Sequence, residues 1–249
     1  MLTIHTAAER PDFWERGLDS AAVWPEYNLH GDVLNQWWGL LDVELPQFQF
    51  VLHDDTEDAI VAEGHTAPLV WDGHDESLPP GIDPAIEQAF RDTRAGAGVN
   101  TLCALAAETP KSSRRRGLAA EILTAMRTIA TRAGLDHVIA PVRPSWKERY
   151  PITPIETYVT WRRDDGSLLD PWMRVHERLG ARVGAPLPQS MRITGTVAEW
   201  ESWTSMAFPT SGQYVFPEGL ATLDVDREAD RGSYWEPNVW MIHPDTASA

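Results

Sequence analysis

Thr101-Leu102-Cys103-Ala104-Leu105-Ala106-Ala107, then Lys111-Ser112-Ser113-Arg114-Arg115-Arg116-Gly117-Leu118-Ala119, then His137-Val138-Ile139-Ala140-Pro141-Val142 are the stretches on which the fold turns. The first is apolar at both alternating sets of positions, as a strand buried on both faces of a mixed sheet must be. After the polar run that ends at Gly117, a stripe of Leu118, Ile122, Met126, Ile129 and Ala133 predicts an amphipathic helix, closed by Gly134. The third stretch reads as a short second strand. Strand, loop, helix and strand in that order follow the logic of a crossover unit.

Upstream, Leu34, Trp37, Trp38 and Leu41 recur at three- and four-residue spacing and predict a helix over 33–41. Two apolar or alternating runs, 48–52 and 60–69, are joined by Asp54-Asp55-Thr56-Glu57-Asp58 and predict an antiparallel hairpin. A Pro-rich break over 77–84 precedes a helix over 84–94, with Ile86 and Phe90 on one face and Gly96 and Gly98 as stop signals. Downstream, residues 143–170 are rich in Pro, Trp and Tyr and read as an irregular insertion with one short helix. Asp170-Pro171 opens a helix that Gly180 ends. Thr196 with Glu199 forms a capping-box pattern before Trp200 and Trp203, and strands are expected over 213–216, 221–225 and 233–241. No repeat or linker divides the chain. The expectation is one domain over 1–249, with an insertion at about 143–170 and a C-terminal extension at about 183–249.

Composition removes several classes of function. With 249 residues, 43% hydrophobic and 23% charged, the chain can build a sizeable core. Its net charge of -16 repels phosphate backbones, so nucleic acid is a poor partner. No apolar run reaches the roughly 18 residues of a membrane span. The first 30 residues carry Glu9, Arg10, Asp12, Glu15 and Arg16 where a signal peptide needs an apolar run, so a cytoplasmic location is expected. A single cysteine, Cys103, excludes an internal disulfide, zinc ribbons and CxxC pairs, and its apolar neighbours make it a core residue. Gly96-x-Gly98 lacks the third glycine of a dinucleotide fingerprint, and Asp224-x-Asp226-x-Glu228-x-Asp230 has Ala229 where a calcium loop needs glycine. The histidines show no metal-ligand spacing, and no metal is expected.

Arg114-x-x-Gly117-x-Ala119 lies between the first strand and the first turn of the helix. A helix N-terminus exposes about four unpaired N–H groups and roughly half a positive charge, and small residues at 117 and 119 let a pyrophosphate approach the main chain. Anion binding there follows from geometry, even on an acidic protein.

In this motif the sequence resembles the GNAT superfamily of acetyltransferases. Val175-His176-Glu177-Arg178-Leu179-Gly180-Ala181 looks like the family's Phe-Tyr-x-Lys-x-Gly-Phe stretch, with His176 at the tyrosine position, and the hairpin over 48–69 stands where the family has its second and third strands. The resemblance implies an α/β (α+β) fold with a mixed, mostly antiparallel sheet flanked by helices. It further implies acyl transfer, acetyl by default, from a coenzyme A thioester to a primary amine of a small molecule. By resemblance, the cofactor-binding residues are Arg114, Arg115, Arg116, Gly117, Leu118 and Ala119 for the pyrophosphate, and Leu105, Ala106 and Ala107 for the thioester carbonyl. Glu108 is the candidate base, with Glu63 and His65 as alternatives, and His176 is the candidate acid, since imidazole titrates near neutrality.

An unperturbed histidine in that role would weaken as an acid with rising pH. The insertion, through Trp146, Tyr150, Tyr158 and Trp161, is expected to wall the acceptor pocket. Two alternatives stay open at this level: a non-acetyl donor such as a carrier-protein thioester or aminoacyl-tRNA, and an acyl-CoA-binding protein without turnover. A homodimer is compatible with the reading.

Overall fold

The computed structural model describes residues 1–18, 23–110 and 117–246. In chain order its elements are β1 (Leu2–Thr6), α1 (Pro11–Glu15), α2 (Leu34–Trp38), α3 (Leu41–Glu44), β2 (Gln49–Asp54), β3 (Ala59–Leu69), α4 (Ile82–Arg94), β4 (Thr101–Glu108), α5 (Leu118–Arg132) and β5 (His137–Val142). There follow α6 (Ile155–Tyr158), α7 (Pro171–Arg178), β6 (Arg182–Gly195), α8 (Val197–Thr204), β7 (Gly212–Tyr214), β8 (Leu223–Asp226) and β9 (Arg231–Ile242). Among the described residues the strands form one sheet in the order β1-β2-β3-β4-β5-β9-β8-β7, with β6 laid along β9. Of the pairings, β4 with β5 is parallel and the rest are antiparallel. This is the mixed, mostly antiparallel sheet flanked by helices that the sequence implied.

The crossover forms for the reasons its residues suggest. Leu102 and Cys103 of β4 are wholly buried, and α5 turns Ile122, Met126, Ile129 and Ala130 into the core. Gly134 takes a left-handed φ of 69°, donating to Thr131 O while Leu135 N–H reaches back to Ala130 O, which satisfies the last carbonyls of α5. The Asp170 carboxylate accepts from the N–H groups of Trp172 and Met173, and Pro171 fills the first turn where no donor is needed. The capping box at Thr196 and Glu199 forms as expected and starts α8.

Three elements differ from expectation. The helix over 33–41 is broken at Gly39 and Leu40 into α2 and α3. β1 and the fourteen-residue β6 are additional strands. β6 carries Pro186, Pro188 and two register shifts, and much of it is exposed, so neither the apolar alternation nor the composition of a strand marks it.

Two irregularities of the sheet open a cleft. β4 pairs with β5 only from Thr101 to Cys103, opposite His137 to Ile139, and beyond that the two strands part. β9 carries β6 along one edge, while its other edge is shared: Val239–Ile242 pairs with β5 and Arg231–Ser233 with β8. Residues 234–238 on that shared edge have no strand opposite them among the described pairings.

Candidate active site

A cavity of about 970 Å³ occupies this opening. Its walls are residues 104–110 from β4 and the turn after it, Ala140 to Val142 of β5, and Ala119, Ile122, Leu123 and Met126 of α5. Trp172, Val175 and His176 of α7, Trp24 and Trp38 of the N-terminal region, and Glu218, Glu236 and Asn238 complete it.

Glu108 ends β4 and is fully buried. Its Oε1 accepts a hydrogen bond from Trp24 Nε1 at 2.7 Å. Register places Glu63 of β3 directly opposite Glu108, and His65, two residues along on β3, lies 3.7 Å from Glu108 Oε1. His65 Nε2 is also 3.1 Å from Glu63 Oε1 without the alignment of a hydrogen bond, and its ring is packed by Trp14 and Trp38. Leu18 N–H donates to Glu63 Oε2 at 2.8 Å. The structure thus brings together the three groups that the sequence offered as alternative bases, with Glu108 the one on the cavity wall.

Leu105, Ala106 and Ala107 line the cavity where β4 has left β5. Alternate N–H groups of a strand point to opposite edges, so some of those in this stretch point away from β3 into the gap. Gly117 precedes α5 with a φ of 91°, and a Cβ there would meet nothing within 4 Å among the described residues. Its carbonyl accepts from Ala120 and Glu121 N–H and opens the helix. Leu118 is buried and Ala119 lines the cavity. A glycine before the first turn of a fifteen-residue helix, with Ala119 of that turn on the wall of an apolar cleft, suits a pyrophosphate followed by a thin acyl-bearing arm. Arg114, Arg115 and Arg116 lie outside the described residues.

His176 lines the cavity from α7 and is 1% exposed. Its Nδ1 is 2.9 Å from Nε2 of His243, which follows β9. His176 Nε2 and His243 Nδ1 are both buried without a hydrogen-bond partner among the described residues. Burial, together with the charge that His243 would carry, pushes His176 well below the usual imidazole value. Burial and the nearby Arg127 charge bring His243 down to about 4. Both rings are therefore neutral at pH 7, and the expectation of an ordinary imidazole titrating near neutrality is corrected by the dryness of its surroundings.

The sequence reading missed a third polar group on the wall. Arg143, the residue after β5, donates from Nε to Glu236 Oε1 and from Nη2 to Tyr27 Oη (2.9 Å) and Glu218 O (2.7 Å). Glu236, in the stretch of β9 that pairs with β6 alone, also accepts from the Tyr234 hydroxyl and from Asn28 Nδ2 at 3.4 Å. Burial opposes the charge of Arg143, but the fields of Glu236, Tyr27 and Tyr234 outweigh it and hold the guanidinium charged. A lone Arg after a buried strand was the available signal; its acidic partner stands 93 residues away.

The aromatics of the insertion are elsewhere. Tyr150, Tyr158 and Trp161 pack on one another, with ring centroids 4.9 to 6.0 Å apart, and Tyr158 Oη donates to Asp170, the cap of α7. None of these, nor Trp146, lines the cavity. They support the N-terminus of α7, and Trp24, Trp38 and Trp172 supply the aromatic walls instead.

No family model matches the chain. The arginine N-acetyltransferase avaD of Aspergillus versicolor is 31% identical to it over 274 residues, covering 97% of this chain and 93% of that protein. Among solved structures, the loading GNATL domain of CurA from Lyngbya majuscula has a TM-score of 0.62 at 16% identity, covering 100% of both chains. The GphF GNAT-like decarboxylase in complex with isobutyryl-CoA has a TM-score of 0.51 at 17% identity, covering 98% of each. These two likenesses speak to the fold. A sheet that parts beside a helix N-terminus, together with the sequence kinship, defines an acyltransferase: the chain belongs to the GNAT superfamily. It is an N-acetyltransferase of that superfamily. No helix among the described residues is long and apolar enough to cross a membrane.

Proposed function

We propose that the enzyme acetylates a primary amine of arginine or a similarly cationic small molecule, with Glu108 as base and His176 as hydrogen-bond donor to the leaving sulfur. The observation that carries this reading is that Glu108 and His176 come from separate elements to wall one cavity. The acceptor class is supported by the 31% identity to an arginine N-acetyltransferase. It is supported also by the carboxylates of Glu108 and Glu218, which line the cavity in excess of the Glu236–Arg143 ion pair and whose field attracts a cation.

An amine of this kind arrives as an ammonium and attacks only when neutral. Glu108 takes the proton directly or through one water, and the Trp24 N–H holds its carboxylate in one orientation. His65 and Glu63 stand behind it to share that proton. The N–H groups of Leu105, Ala106 and Ala107 that point into the gap are available to a developing oxyanion. Coenzyme A, when bound, supplies the acyl group as a thioester whose sulfur leaves. Gly117, Leu118 and Ala119, with Arg114, Arg115 and Arg116 before them, are the residues proposed to hold its pyrophosphate.

A neutral His176 is a poor proton source but a good donor, and a thiol with a pKa of about 8.5 needs only a hydrogen bond to depart near neutrality. In balance, the ammonium gives one proton to Glu108 and attacks as the free amine; as the N–C bond forms and the C–S bond breaks, the nitrogen gives up a second proton, which passes to the departing thiolate, and Glu108 returns its proton to solvent.

The test is thiol release from acetyl-CoA by the purified chain, with L-arginine, agmatine, a neutral alkylamine and a phosphorylated amine as acceptors, and acetylated product read by mass spectrometry. Turnover confined to the cationic amines is expected. Turnover only with the neutral or phosphorylated amine would remove the acceptor assignment.

A further inference from the structure

His176 and His243 can share their hydrogen bond in two ways. Both rings are neutral, and one proton lies between His176 Nδ1 and His243 Nε2. If His176 donates, its Nε2 is a bare lone pair and His243 carries an N–H at Nδ1. If His243 donates, His176 carries its proton on Nε2 and His243 Nδ1 is bare. We propose that His243 is a positioning residue that donates Nε2–H to His176 Nδ1 and so keeps the proton of His176 on Nε2, the nitrogen left for the leaving sulfur. This rests on the reading of His176 given above and extends it to a residue 67 positions away.

The two arrangements leave different groups orphaned. His176 Nε2 and His243 Nδ1 are buried, and neither has a partner among the described residues. In the first arrangement the orphaned donor is on His243, which does not line the cavity. In the second it is on His176, which does, although its Nε2 is as covered as His243 Nδ1 in the ligand-free protein. Either arrangement buries one unpaired N–H, and the second places it on the residue of the cavity lining, where the donor has a use. The first would also turn a lone pair toward a departing anion. His243 is itself fixed, since its backbone N–H donates to Val138 O of β5 at 3.0 Å and its side chain is 4% exposed. Its place on the chain just after β9 is thus what aims a ring on α7.

Nitrogen-15 spectra of the ligand-free protein at pH 7.5, correlated to the ring carbon protons, read the tautomer without any turnover. The expected result is Nε2–H with a bare Nδ1 on both rings. Nδ1–H on His176 would overturn the proposal. Two variants extend the test, each first checked by thermal melting. His243→Gln keeps a donor at the corresponding reach and is expected to hold kcat within about threefold of wild type. His243→Leu removes the donor and is expected to lower kcat about tenfold while KM for both substrates stays within about twofold, with His176 becoming a mixture of tautomers. Equal losses in the two folded variants, or none in either, would also overturn it. If His176→Ala itself leaves kcat unchanged, the role of His176 falls first, and the nitrogen spectrum still decides the tautomer.

Discussion

On the β4 side of the cleft, a fully buried carboxylate is given a donor and an imidazole within reach: Glu108 has Trp24 N–H at 2.7 Å and His65 at 3.7 Å. On the α7 side, an equally buried imidazole has, among the described residues, only another imidazole as its hydrogen-bond partner. Partners make a buried charge tolerable, and their absence makes a buried base stay neutral. On the reading proposed above, one cleft holds a proton acceptor on one wall and an uncharged hydrogen-bond donor on the other, separated by what surrounds them rather than by what they are.

The contrast can be broken most forcefully at Glu108. Glu108→Gln keeps the shape and the bond from Trp24 but cannot take a proton, and kcat is expected to fall by about 10²- to 10⁴-fold in steady-state assays with acceptor saturating. Unchanged turnover would move the base to Glu63 or His65. His176→Ala removes a donor to a charged atom, so about a 10- to 100-fold loss of kcat is expected with coenzyme A affinity nearly unaltered. Because burial holds His176 well below 6.5, its donor is constant from pH 7 to 9. The rate profile should show no alkaline limb from this ring, and His176→Tyr should share that flat region. A limb that His176→Tyr displaced upward would mean an ordinary imidazole in a wet site.

Gly117→Glu places a side chain at a left-handed φ of 91° and a negative charge before α5, and calorimetry should find coenzyme A about tenfold weaker. Smallest is a control away from the cleft. Asp83, in the first turn of α4, accepts from Arg192 N–H at 2.9 Å, while its Oδ1 has no partner among the described residues, and burial raises it to about 6. The folded state then binds more protons than the unfolded one between about pH 4 and 6, so stability falls as pH rises through that window. Asp83→Asn should gain up to about 2 kcal/mol at pH 7.5 and nothing at pH 4, read by denaturant unfolding, with kcat unchanged.

Legibility in the sequence followed the range of the interactions. β4, α5 and β5 were readable because continuous apolar runs, a stripe ending at Gly134 and a glycine before Leu118 are local consequences of burial and backbone geometry. β6 was not, since its two prolines and half-exposed faces imitate a loop, and it becomes a strand only by lying along β9. Glu108 and His176 could be named from their places in the motifs, but the neutrality of His176 depends on a dry wall built by distant residues. The insertion was misjudged because aromatic content says that rings will pack and not against what; Tyr158 found Asp170. Arg143 and Glu236, and His176 and His243, are joined only by the fold.

β9 adds something through its late place in the chain. It supplies the edge on which β5 and β8 both rest, the stretch holding Glu236 and Asn238, and, just beyond its end, His243. Residues 1–230 hold the helix start, the parted strand, Glu108 and Glu218, but neither Glu236 nor the partner of His176. β9 lies between β5 and β6, so both walls of the cleft depend on one strand being in place.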